Sequence, residues 1–299
     1  MKKIILATAI SVLSLSAYTF DNGVKISANM DENKDFHPDL ELPIRYNKHY
    51  SSSIEYLEDS EITENEKVAD LDTSDKDTQI DHKLLRINVL NYNTSSRKSK
   101  FYFGFGYQKE NFDKSQLGFV KTNNKNINFD NNINIEVKSL YLKTDYVGYE
   151  KKYQYRLRLT AVPVSKLEVT QDTKLTGTTN STGKGSSDED QDLSYDIEYE
   201  AITNFNSYIN YGLDVKYRYL PLQYSLKIAN DDGSYSDTKY DTEEVYTEIG
   251  AKIYLDTKIM DLMPTLGVSS ASTKTTNNIT NESETIDEVK VMFGISSRF

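Results

Sequence analysis

The chain alternates. Its final stretch places Val289, Val291, Phe293, Ile295 and Phe299 on one face, and Glu288, Lys290, Met292, Gly294, Ser296 and Arg298 on the other. That is the period of two of a strand with one apolar face. Phe101, Phe103, Phe105 and Tyr107 are the clearest internal case. Similar stretches fall at 24–30, 42–46, 52–56, 85–89, 153–161, 195–201, 209–217, 245–255 and 262–268. A strand within 133–149 carries two phases: Ile133, Ile135 and Val137 are odd, Leu140 and Leu142 even. After Tyr217 and Tyr219 the apolar phase flips to Leu220, Leu222, Tyr224, Leu226 and Ile228 across Pro221. This reads as a bulge or edge distortion in one long strand that projects above a membrane. The pattern amounts to about twelve strands, with ten or fourteen as the alternatives to an even count.

Connections alternate in length. Short ones lie near 47–48, 93–96, 150–152, 204–205 and 256–261; longer ones at 31–39, 59–79, 110–132, 165–190, 230–241 and 272–284. Short turns on one side and long loops on the other characterise barrels that span a bacterial outer membrane. The expected fold is therefore all-β: a transmembrane antiparallel up-and-down β-barrel with short periplasmic turns, long extracellular loops and both termini periplasmic. A soluble lipocalin-like barrel obeys the same period but needs its charged face outside and a dry interior.

The ends agree with export. Met1-Lys2-Lys3 is followed by an apolar run from Ile4 to Ala17, which reads as a signal peptide over 1–17 and a barrel over 18–299. The run is too short to span a bilayer as a helix. No second long apolar run follows, and mean hydropathy is -0.63, which excludes a helical membrane protein. Without Lys2 and Lys3 the net charge moves from -11 to -13, arguing against nucleic acid as a partner. There is no Cys, so thiol chemistry and a lipid-anchored cysteine are absent. Trp is also absent, and the 23 Tyr and 11 Phe must supply any interfacial girdle.

The terminal strand resembles the assembly signal of Gram-negative outer-membrane barrel proteins. Gly294 and Phe299 occupy its glycine and terminal aromatic positions, with Phe293 and Ile295 between them; Met292 and Ser297 depart from its usual polar and hydrophobic residues. The resemblance implies insertion by the barrel-assembly machinery into the outer membrane of a Gram-negative bacterium, among lipid and lipopolysaccharide.

With the apolar face toward lipid, the other face lines a lumen. Arg156 and Arg158, then Asp196, Glu198 and Glu200, then Asp214, Lys216 and Arg218, then Glu248 and Lys252 point inward. Counting back from a turn at 204–205 sets Glu200 near Asn210 and Asp196 near Asp214, with Arg156 and Arg158 on the other flank of Asp196. Gly104, Gly106, Gly212, Gly250 and Gly294 also point inward and leave room for long side chains. The expected function is a porin-like channel for passive diffusion of small hydrophilic solutes. The alternative is a surface barrel with a plugged lumen, acting as a structural protein or adhesin. The acidic stretch 58–81 reads as a solvated loop, since its spacing matches no calcium loop. Enzymatic chemistry would need His37, His49 or His82. His49 lies near Ser51, and His82 beside Asp81 points to the opposite face from it, so none forms a catalytic constellation. No metal or cofactor is expected.

Overall fold

A computed structural model describes residues 25–30, 36–47, 49–63, 73–96, 98–122, 125–175, 181–186, 191–204, 208–229, 235–255 and 262–297. The leader and Phe299 lie outside them. The elements are β1 (Lys25–Met30), β2 (Phe36–Arg45), β3 (Tyr50–Thr63), β4 (Thr73–Ser95), β5 (Ser99–Thr122), β6 (Lys125–Tyr149), β7 (Tyr153–Leu175), β8 (Ser181–Ser186), β9 (Ser194–Asn204), β10 (Ile209–Ala229), β11 (Tyr235–Leu255), β12 (Leu262–Asn277) and β13 (Glu282–Ser297). All pairings are antiparallel, and β1 joins β13 to close the sheet. β8 and β9 share one place in the ring. Both lie between β7 and β10, one above the other. The barrel therefore has twelve staves, the number expected. Closure joins the two ends of the sheet, the condition for placing strands in lipid.

Much of the sequence expected as outer loop is strand. β5 runs to Thr122 and β6 begins at Lys125; β3 runs to Thr63 and β4 begins at Thr73. β4–β7, β10 and β11 are 21 to 25 residues long, about twice the ~10 residues needed to cross a bilayer.

The two zones of these long staves have opposite polarity. In the lower zone the outward residues are apolar and exposed: Phe101, Phe103, Phe105 and Tyr107 on β5, Leu140 and Leu142 on β6, Leu157 and Leu159 on β7, Leu213 on β10, Ile253 on β11. Tyr107, Leu140 and Val164 form the last such row across β5, β6 and β7. The next outward row is Lys109, Lys138 and Lys166, and the one after it Asn111, Glu136 and Glu168. Lipid tolerates the first row and not the second. Inside, the change runs the other way. Across the same staves Glu110, Val137 and Leu167 lie in register, followed by Phe112, Ile135 and Val169. Phe112, Val137, Leu167, Val169, Leu220, Leu222 and Leu226 form a buried cluster, with Ile133, Ile135, Tyr224 and Tyr240 against it. The upper barrel thus has an apolar core and a polar exterior, like a soluble protein.

This inversion explains both anomalies of the hydropathy pattern. On β6 the odd residues face inward throughout: Ile133 to Val137 belong to the upper core, and Leu140 and Leu142 to the lipid face. On β10 the expected bulge at Pro221 is absent, because its register with β11 is unbroken from Ile209 to Ala229. Leu220 and Leu222 continue the inward set of Asp214, Lys216 and Arg218. The edge is real, however. β9 leaves β10 after Tyr219, and β8 rejoins it only at Ser225. On the other side β9 leaves β7 after Val162. Pro163 and Pro221, which have no N–H to offer, therefore border the place where the intervening strand is interrupted. A side chain takes over there: Gln191 donates from Nε2 to the Gln223 carbonyl at 2.6 Å and accepts from the Gln223 N–H at 2.8 Å. Register shifts lie at Ser51/Ser53, Ser74/Asp77, Asn88/Leu90 and Leu140/Leu142. The last shifts the inward set of β7 from Arg156, Arg158 and Thr160 to Leu167 and Val169.

The stand-in role of Gln191 gives a local test. Gln191→Ala removes both bonds to Gln223, worth ~0.5–1.5 kcal/mol each. Amide exchange at Gln223 should accelerate about tenfold or more, while Asp214, paired on both sides, stays protected. Unchanged exchange at Gln223 would show that the amide is not the stitch.

Candidate functional site: the charged lumen

All ten lumen residues expected from the sequence line one interior cavity of about 200 Å³. Their local placement follows from alternation: each has outward apolar neighbours, such as Leu157 between Arg156 and Arg158. The cross-strand partners differ from those expected. The β9–β10 connection spans 205–208, longer than the turn assumed, and this slides the register. Glu200 faces Asp214 and Asp196 faces Arg218. On the other flank Arg156 faces Glu200, Arg158 faces Glu198, and Thr160 faces Asp196.

Ion pairs cross the interior as well as bracing the wall. Arg86 on β4 pairs with Asp196 on β9. Arg156 and Arg158 on β7 both reach Glu41 on β2, Arg156 at 3.0 Å. Arg218 on β10 pairs with Glu110 on β5, and Lys143 on β6 with Glu55 on β3. Lys290 on β13 reaches Asp59 on β3. Wall pairs add Arg156–Asp145 at 2.5 Å, Lys216–Glu248 at 3.0 Å and Lys252–Asp214 at 3.1 Å. β2 and β7 stand nearly opposite in the ring, so the Glu41 pairs bridge most of its width. Packing is close: a Cβ at Gly212 would lie 2.5 Å from the Tyr254 ring, and one at Gly106 2.7 Å from that of Tyr141. These aromatic rings lie across inward glycines, the room expected of them.

Asp59 belongs to the stretch expected as a solvated acidic loop, yet it faces inward and binds Lys290. The alternation that places Arg156 inside also places Glu41, Glu55 and Arg86 there, beyond the ten expected residues; Glu110, between Lys109 and Asn111, has no apolar neighbours to mark it. Glu55, for instance, sits between Ile54 and Tyr56. Lys143 and Asp145 were hidden by the double phase of β6.

His82 and His49 each contact a neighbouring group. His82 points inward, stacks on Phe112 at 4.7 Å, and its Nε2 lies 2.6 Å from Glu110 Oε1. His49 Nδ1 lies 3.3 Å from the Asn93 carbonyl, while Ser51 accepts from the Asn93 amide at 3.2 Å. No His–Ser pair results. Among the described residues no group of His, Asp or Glu is arranged to hold a metal. Outside, above the apolar band, the ammonium groups of Lys109 and Lys138 hydrogen-bond Glu136 and hold its carboxyl below the usual range.

No family model and no curated protein matches the chain. Among solved structures, one similar chain is the CymD monoaromatic hydrocarbon channel, at 8% identity and TM-score 0.49, covering 97% of this chain and 92% of that one. Another is the Pseudomonas putida toluene transporter TodX, at 10% identity and TM-score 0.48, covering 96% and 91%. Acinetobacter baumannii CarO aligns with 53% of this chain and 82% of its own, at 12% identity and TM-score 0.25. At such scores the barrel is read from its own strand pairing.

The lumen pairs should be costly to break singly. Glu41→Gln leaves Arg158, 5% exposed, without its cross-lumen partner, and should destabilise the barrel by about 3 kcal/mol. Lys166→Ala, at an exposed outer pair, should cost under about 0.5 kcal/mol. Urea unfolding in lipid vesicles measures both; equal effects would contradict a buried interior network.

Proposed function

We propose that the protein is a channel of a Gram-negative outer membrane, for small hydrophilic solutes, with a lumen that rests closed. The observation that carries this is the ionic cavity itself, enclosed by staves whose outer faces are apolar. Apolar side chains of similar volume would fill a barrel this narrow at equal or better stability. A charged, partly hollow interior is what passage of polar solutes needs. The closed state follows from the Arg86–Asp196, Arg158–Glu41 and Arg218–Glu110 pairs, which cross the path. Outer-membrane lipid, lipopolysaccharide and the barrel-assembly machinery are the partners this reading implies.

A second reading draws on the same pairs together with the apolar cluster above them. If neither yields, the barrel is a plugged support for its long outer staves and acts as a surface structural protein or adhesin.

Planar-bilayer recording separates the two. The channel reading expects brief openings of the wild-type protein. Their frequency should change little in ~1 M KCl, because salt screens buried pairs weakly. Glu41→Gln should lengthen them. Purified, folded wild-type protein that never opens at any salt, and passes no solute into vesicles, is the plugged barrel.

A further inference from the structure

The upper end of the lumen cavity differs from the rest. Ile80, Leu84, Phe112, Tyr246 and Ile286 line it, together with Arg218 and Glu244. It lies where the inward face changes from ionic to apolar: Glu244 stands opposite Leu220 in the β10–β11 register, one inward position above Arg218 and Tyr246.

The charge there is unbalanced. The cavity lining holds ten carboxylates and seven Lys or Arg side chains. Lys143 and Lys290 reach in to Glu55 and Asp59 from just beyond it. The remaining cations are matched: Arg218 binds Glu110 and Asp196, Lys216 binds Glu248, Lys252 binds Asp214. Among the described residues Glu200 accepts the Tyr254 hydroxyl, at 2.6 Å, and forms no ion pair. Glu244 has no ion pair or hydrogen bond among the described residues. A carboxyl group is thus left over beside aromatic and aliphatic walls, where burial opposes its charged form and Arg218 and His82 favour it.

We propose that this end of the cavity binds a small organic cation carrying an apolar group, such as a primary ammonium on a ring or short chain, as the solute the channel selects. The ammonium meets Glu244, between the Phe112 and Tyr246 rings, which already carry the Arg218 and Lys290 cations at 6.0 and 5.6 Å. The apolar part lies against Ile80, Leu84 and Ile286, below the cluster of Leu220 and Leu222. A neutral analogue loses the carboxylate contact, and an anion meets the carboxylate surplus. The inference rests on the channel reading for transport, but not for binding.

Benzylammonium is the probe, with benzyl alcohol, benzoate and methylammonium as comparisons. Calorimetry on the folded protein in detergent should show benzylammonium binding more tightly than all three. Glu244→Gln, which keeps the shape of the side chain, should weaken it about tenfold, the ~1.4 kcal/mol of one charge-assisted contact. An unchanged heat-modifiable shift would confirm that the variant folds. Vesicle flux should show the same order among the four solutes. Benzoate or methylammonium matching benzylammonium, or Glu244→Gln leaving its binding unchanged, overturns the proposal. Binding that follows Glu244 in a barrel that never conducts sinks the channel and leaves the site.

Discussion

A β-strand cannot exchange its two faces without a bulge, and most of the architecture follows from that constraint. A stave that leaves the membrane must turn from apolar-outside to polar-outside while its backbone phase is fixed. This chain meets the demand mainly through sequence. On β5, β6 and β10 the inward set is continuous, and the residues filling it change from charged to apolar at the level where the outward set changes from Tyr107 and Leu140 to Lys109 and Lys138. Only on β7 does a bulge next to Pro163 share the work. One barrel thereby holds a lipid-facing shell around an ionic core and, above it, a water-facing shell around an apolar core.

The ionic core follows from the lower zone. Half of every stave there points away from lipid into a space about twelve staves around, too narrow to hydrate each charge fully. The charges neutralise one another instead, and the long Arg side chains choose partners across the barrel as readily as along the wall. Burial makes each pair expensive to break and of modest net value when intact. Glu244 marks where neutralisation stops, at the border with the apolar core.

The stave count and the inward placement of the ten charged residues were legible from alternation, because burial on one face leaves a period of two whatever the tertiary partners. What was not legible depended on three dimensions. The register of β9 against β10 moved because a turn of unknown length sets it, and a four-residue connection replaced a tight one. The cross-lumen partners of Arg86 and Arg158 depend on barrel closure, which joins β4 to β9 and β2 to β7 across the ring. The polar residues of the stretch 110–132 suggest a loop; above the membrane, a polar outer face is what a stave requires. Pro221 looked like a defect for the same reason, and it marks the border of the strand interruption bridged by Gln191.

The inversion itself can be measured directly, since the chain has no native Cys. Single nitroxide labels through Phe103→Cys, Phe105→Cys, Tyr107→Cys, Lys109→Cys and Asn111→Cys walk up the outer face of β5 in vesicles. Collision with oxygen should dominate through position 107, and collision with a water-soluble nickel chelate from 109 onward. A Leu167→Cys label, in the upper core, should be shielded from both. Lipid contact continuing past 109, or water contact at 103 and 105, would contradict the inverted barrel on which everything else rests.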